Sequence, residues 1–224
     1  MERLSAASTA GVLLDLGAVV ILLCAFACLG SKLFNRYVAY FGVQSIMLAL
    51  TVAAVAWRFG EVSLWVLAAL TLAVKGIGIP LATRRFLLQR LELKRDAAVS
   101  VGLSTSLLAG AVLTACAYLV IRPQLLPQGA VARAVVPLAV AVVLLGGLCM
   151  VVRRHTVAQL VGWLIVENGV FLGAVTLVAS FPFIVEAGIF LDLVAAFLIM
   201  LTFIAEVTHR LAEASAAELR GLRE

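Results

Sequence analysis

Apolar blocks of about twenty residues, each closed by a short polar or basic turn, recur along the whole chain. A helix crossing a bilayer needs about 20 mostly apolar residues. That criterion predicts seven spans, at roughly 12–30, 38–57, 62–83, 98–121, 132–152, 157–180 and 184–207. The expected fold is therefore all-α, a polytopic transmembrane helix bundle. Little chain is left over for a soluble domain. Arg84 to Asp96 is a short basic connector, and the tail after Thr208 reads as an amphipathic helical end, with Leu211, Leu219 and Leu222 among Glu and Arg. The expected organisation is one membrane domain over 1–224, in which 1–96 forms an N-terminal three-helix part. Residues 97–130 carry a linking fourth helix, 131–208 form a second three-helix part, and 209–224 form a tail.

Composition strengthens this picture. Hydrophobic residues make up 64% of the 224 and charged residues 13%, where soluble domains carry roughly 25% charged residues. The net charge of +5 does not point to nucleic acid, because the basic residues cluster between the apolar runs, as topology signals do. Arg3, Arg58, Arg122 and Arg133 fall on one side. Lys32, Arg36, Arg84, Arg85, Arg90, Lys94, Arg95, Arg153, Arg154, Arg210, Arg220 and Arg223 fall on the other. The positive-inside rule then predicts an outside N-terminus and a cytoplasmic C-terminus. The first apolar run exceeds a signal-peptide core and lacks a convincing small-residue cleavage site, so it is expected to stay as a span. Cys24, Cys28, Cys116 and Cys149 sit in apolar segments without metal-ligand spacing and read as small buried hydrophobes.

Finer patterning suggests how the helices meet. A shift of 123 residues lays Tyr40-Phe41-Gly42-Val43-Gln44-Ser45 over Trp163-Leu164-Ile165-Val166-Glu167-Asn168, so Gln44 falls on Glu167. Spans one to three and five to seven would then be parallel triplets. Gly102, Ser106, Gly110 and Thr114 recur every four residues, as do Gly169 and Gly173, spacing that permits close helix approach in lipid. Gly76-Ile77-Gly78-Ile79-Pro80 should loosen the third span directly after Lys75.

The informative residues are the charges inside these runs. A charged group at mid-bilayer costs at least ~2.5 to 3.5 kcal/mol on insertion scales and by default marks an ion or proton path. At 1.5 Å per residue, Glu167 and Lys75 each lie roughly 15 Å from the basic end of their helices, and Asp192 about 13 Å from the opposite end. Asp15 and Glu186 lie near the outer surface and Glu206 near the inner one. In general, desolvation favours a neutral carboxyl and a nearby ammonium favours a carboxylate, so movement of a lysine can make a glutamate release or take up a proton. Glu167 is the candidate proton-binding group and Lys75 its modulating cation, with Asp192 and Glu186 leading outward. Gln44, Asn168, His155 and Asp15 are possible supporting residues. The alternative is that these charges cap or snorkel at helix ends, or only lock helices together. Nothing in the spacing suggests a bond-making catalytic centre, a metal site or a cofactor site.

A helix ending in Arg153-Arg154-His155, followed by Gln159-Leu160-Val161-Gly162-(x)4-Glu167-Asn168-Gly169 and then by Pro182-(x)3-Glu186-(x)5-Asp192, resembles the HyfE family. HyfE is the E component of hydrogenase-4 and formate-hydrogenlyase-like complexes, and Lys75-(x)4-Pro80 also fits the resemblance. The last three spans are in turn similar to the K subunit of respiratory complex I and to the C subunit of Mrp-type antiporters. Glu167 matches the K subunit's mid-membrane glutamate, whereas Glu186 and Asp192 depart from the position of its second glutamate. The resemblance implies a non-catalytic membrane-arm subunit of a redox-driven ion pump in a prokaryotic cytoplasmic (inner) membrane. Its implied partners are antiporter-like and quinone-module-like membrane subunits and a nickel-iron hydrogenase arm. An Mrp-like cation/proton antiporter subunit without a redox partner, and a structural or assembly subunit, remain as rivals.

Overall fold

The structure is a computed structural model that describes residues 2–31, 33–84, 102–122, 134–153 and 156–177. These residues are helical, with no strand among them. The elements are α1 (Glu2–Gly30), α2 (Phe34–Phe59), α3 (Val62–Thr71), a π-helical segment (Leu72–Gly78), α4 (Ile79–Ala82), α5 (Leu103–Val120), α6 (Val135–Val152) and α7 (Thr156–Leu177). Six stretches are long and apolar enough to span a membrane: Gly11–Gly30, Arg36–Phe59, Val62–Ala82, Leu103–Val120, Val135–Val152 and Ala158–Leu177. They coincide with the first six expected spans to within a few residues at each end. The expected seventh span, 184–207, and the amphipathic tail lie outside the described residues. The chain is a polytopic membrane helix bundle.

Short connections set the arrangement, since helices joined by a few residues fold back as antiparallel neighbours. Helix α2 ends because Gly60 takes φ 70°, a left-handed conformation natural to glycine, and its N–H caps the Ala56 carbonyl at 2.8 Å. Helix α1 packs on α2 and α6, and α2 packs on α3, the π segment and α7. The closest pairing is α6 with α7. A Cβ placed on Gly146 would stand 2.6 Å from the Val166 backbone nitrogen, and one on Gly169 would stand 2.8 Å from that of Val143. Hydrogen at these positions lets two backbones approach, which is how helices adhere where lipid offers no hydrophobic drive. Of the expected small-residue stripe on α5, Gly110 faces Leu145, Leu29 and Phe26, whereas Gly102 stands at the helix start as its cap.

The core runs through the middle of this arrangement, built from Leu14, Ile21, Phe41, Leu48, Leu67, Leu145, Leu164 and Leu172 among others. Helix α5 lies at the edge against α6 and α1, leaving Leu108, Val112, Leu119 and Val120 exposed. Exposed apolar residues on α1, including Val12, Leu16 and Leu23, suit a lipid-facing or subunit-facing surface.

The third span is not a uniform α-helix. Pro80 has no N–H to donate and Gly76 and Gly78 weaken the turn before it, so the helix widens and Ile79 donates to the Val74 carbonyl, five residues back. The loosening expected after Lys75 thus takes the form of a π segment that contains Lys75. Gly42 on α2 faces this segment: a Cβ there would meet Pro80 Cγ at 3.1 Å and the Gly76 carbonyl oxygen at 3.6 Å.

Candidate functional site

Lys75 enters the bundle from the π segment and is buried, at 1% exposure. From α7, Glu167 is presented to it at 6% exposure. Lys75 Nζ lies 3.1 Å from Glu167 Oε1, a charge-assisted contact of the strong kind. The two residues are 92 apart in sequence, and only the packing of α3, α2 and α7 brings them together. At 1.5 Å per residue, Lys75 lies roughly 10 Å and Glu167 roughly 14 Å in from the basic ends of their spans, shallower than the roughly 15 Å expected for each.

Neutral polar groups extend the pair toward α2 and α1. Lys75 Nζ also donates to Asn168 Oδ1 at 3.5 Å. Asn168 Nδ2 donates to Gln44 Oε1 at 3.3 Å and to Ser45 Oγ at 3.1 Å. Gln44 Nε2 in turn donates to the Ile21 carbonyl at 3.1 Å. Gln44, Ser45 and Asn168 are all fully buried. In a predominantly apolar core, each of these groups must find a partner within the bundle, since an unmatched one costs about 1 to 3 kcal/mol.

Of the expected site residues, the structure brings Glu167, Lys75, Gln44 and Asn168 together. Asp15 stands apart, exposed on α1. Glu186, Asp192 and His155 lie outside the described residues, as does Glu206. Among the described residues no group of three His, Cys, Asp or Glu could hold a metal ion.

Among the buried polar residues that sequence reasoning did not single out, Ser45 and Arg153 make contacts that matter here. Ser45 is small and neutral, a residue type at home in membrane helices, so only its alignment with Asn168 under the 123-residue shift pointed to it. Arg153 read as one more topology charge, yet it is 1% exposed. Its Nη2 donates to the carbonyls of Cys28 at 2.9 Å, Leu29 at 3.1 Å and Ser31 at 2.7 Å. These lie at and just past the C-terminal turn of α1, where helix carbonyls run short of partners and the dipole is negative; the Cys28 carbonyl also accepts from the Ser31 N–H at 3.3 Å. The guanidinium lies over the Tyr37 ring, 5.0 Å from its centroid, and Tyr37 Oη donates to the Ala158 carbonyl at the start of α7 at 3.0 Å. Gln159 Nε2 donates to the Arg153 carbonyl at 2.8 Å. Arg153 thereby ties the basic ends of α1, α2, α6 and α7. The available signal was its position directly between α6 and α7, on a connection too short to let a side chain leave the helix ends.

Comparison with known proteins adds an independent line. No family model matches the chain, and no solved structure matches it. An uncharacterized protein of Mycobacterium tuberculosis, Rv0085, is 31% identical over 153 residues, covering 68% of this chain and 70% of that protein. Hydrogenase-4 component E of Escherichia coli K12 is 34% identical over 95 residues, covering 42% of this chain and 44% of that protein, and its Shigella flexneri counterpart matches equally. The chain thus aligns with less than half of hydrogenase-4 component E.

Proposed function

Because this chain belongs to the hydrogenase-4 component E-like family, we propose that it is a non-catalytic membrane subunit of a redox-driven, ion-translocating complex. In it, Glu167 takes up and releases a proton and Lys75 governs when. The observation that carries the proton part is the buried 3.1 Å contact between Lys75 Nζ and Glu167 Oε1. An ion pair removed from water is poor evidence for stability, because desolvating two charges offsets most of their attraction. Intramembrane ionisable pairs are characteristic of ion and proton pathways. The pair resides beside a π segment, an irregularity frequent at functional sites.

The complex part rests on the family. A component of hydrogenase-4 suggests antiporter-like and quinone-module-like membrane subunits as neighbours, a nickel-iron hydrogenase arm supplying electrons, and a prokaryotic inner membrane as the location. Glu186 and Asp192 would continue the proton path outward. The likeness of the last three spans to the complex I K subunit and the Mrp C subunit belongs to the same reading, as do the cytoplasmic placement of the basic end and the pairing of two triplets.

Affinity purification of the tagged chain from its own host's membranes, followed by proton-transport assays in vesicles, tests this. Hydrogenase and antiporter-like proteins should co-purify, and dihydrogen should drive a proton gradient. Purification without any redox protein, together with sodium-driven proton exchange, would replace this reading with an Mrp-like antiporter.

A further inference from the structure

The buried amides around Lys75 have a direction that can be deduced without deciding by eye which end of each amide is oxygen. The Ile21 carbonyl is only an acceptor, so the Gln44 atom 3.1 Å from it is the NH2 group. Gln44 therefore turns its oxygen to Asn168, and the Asn168 atom that meets it at 3.3 Å is in turn NH2. Ser45 Oγ at 3.1 Å accepts from the same nitrogen. The Asn168 oxygen is left aimed at Lys75 Nζ, 3.5 Å away. A main-chain carbonyl on α1 thus fixes, through two side chains on two other helices, a neutral acceptor beside the lysine.

Among the described residues, Lys75 accordingly meets acceptors on adjacent residues of α7, one that can lose its charge and one that cannot. We propose that Asn168 is a positioning residue, the second station for Lys75, which holds the charged ammonium in the bundle while Glu167 is neutral. This deepens the proposed function and rests on it. With a carboxylate alone, protonating Glu167 would leave a buried ammonium facing a poorer partner, a costly state that opposes proton uptake. The Asn168 oxygen lowers that cost, because only a few tenths of an ångström separate the two contact distances and no long excursion of the lysine is required. The described elements packed against the pair carry no other charged side chain at this depth: α6 has none from Val135 to Val152, α2 none from Tyr37 to Trp57, and α1 none from Leu16 to Gly30. Among the described residues, Lys75 and Glu167 are the charges beside these amides.

The test is the pH profile of proton transport by the intact complex in native vesicles, with assembly checked on the same samples. Asn168→Leu removes the second station, so the state with neutral Glu167 and charged Lys75 is penalised. Its profile should move toward lower pH by about one unit, a tenfold change in occupancy. Asn168→Asp adds a second carboxylate beside the lysine, whose negative charge favours a neutral Glu167, and should move the profile the opposite way. Gln44→Leu frees the Asn168 amide to turn and should give a smaller acid shift, which serves if either Asn168 variant fails to assemble. Opposite shifts support the second station. Shifts in the same direction, or unmoved profiles in a complex that Glu167→Gln silences, overturn it and leave the ion pair intact. Transport unaffected by Glu167→Gln would instead remove the underlying reading.

Discussion

Among the described residues two cations are buried, Lys75 and Arg153, and they are held in opposite ways. Lys75, in mid-bundle, is met by the Glu167 carboxylate and one amide oxygen. Arg153, at the basic end, is met by three main-chain carbonyls and the face of Tyr37. A carboxylate can gain a proton and change what the cation experiences, whereas a carbonyl cannot. A guanidinium's rigid planar fork suits a fixed set of carbonyls, whereas an ammonium is a compact point charge on a flexible stem that can shift between two acceptors. The lysine is suited to a site that alternates and the arginine to a joint that does not.

That contrast predicts different failures, and the largest belongs to the joint. Arg153→Met removes the guanidinium from three main-chain carbonyls and should cost several kcal/mol, since each buried acceptor left unpaired costs about 1 to 3 kcal/mol. Little folded protein should be recovered from membranes, as measured by monodisperse yield in detergent and thermal unfolding. Arg153→Lys, a point charge without the planar fork, should recover only part of the loss.

Breaking the ion pair from one side comes next. Lys75→Met leaves the Glu167 carboxyl buried without its cation and should lower thermal stability markedly. The double variant Lys75→Met with Glu167→Gln should regain most of that stability, because neutralising both members of a buried pair is often close to neutral. It should regain no proton transport. Thermal unfolding and transport read on the same preparations separate the two effects, and recovery of both would erase the distinction between site and joint.

A packing change touches neither cation. Gly146→Val forces bulk against the α7 backbone, where a Cβ would already stand 2.9 Å from the Gly162 carbonyl oxygen. Overpacking of this kind should cost about 1 to 3 kcal/mol, read as a lower unfolding temperature. The smallest effect is expected from Tyr37→Phe. It keeps the ring under Arg153 but loses the hydrogen bond to the Ala158 carbonyl, worth about 0.5 to 1.5 kcal/mol. Thermal unfolding should show a slight decrease, with transport unchanged.

How much of this was legible in the sequence follows from what makes a residue conspicuous in a membrane helix. Glu167 and Lys75 stand out because charge is rare in apolar runs, and their similar depth comes from counting along two helices. Gln44 came from the 123-residue shift, which also pairs Ser45 with Asn168, and those two side chains touch at 3.1 Å. Ser45 did not stand out by itself, since a hydroxyl costs little in a helix. Arg153 was misjudged in role because an arginine at a helix end usually serves topology; only tertiary structure places the end of α1 beneath it. The expectation of a loosened third span was legible from Gly76, Gly78 and Pro80, but the π form depends on which carbonyl the next free N–H can reach. The spacing of Gly169 and Gly173 marked α7 for close approach, and Gly169 does meet Val143 and Ala139 of α6, but no spacing along the chain pairs Gly146 of α6 with Gly162 of α7.

The measurement that bears most directly on the account is proton transport by the native complex in membrane vesicles with Glu167→Gln. Glutamine keeps the size and a hydrogen-bonding oxygen for Lys75 but cannot carry a proton. Transport should fall at least tenfold, with the complex assembled in normal amount. Undiminished transport in an intact complex would contradict the central claim and leave Lys75 and Glu167 as an architectural pair like Arg153 and its carbonyls.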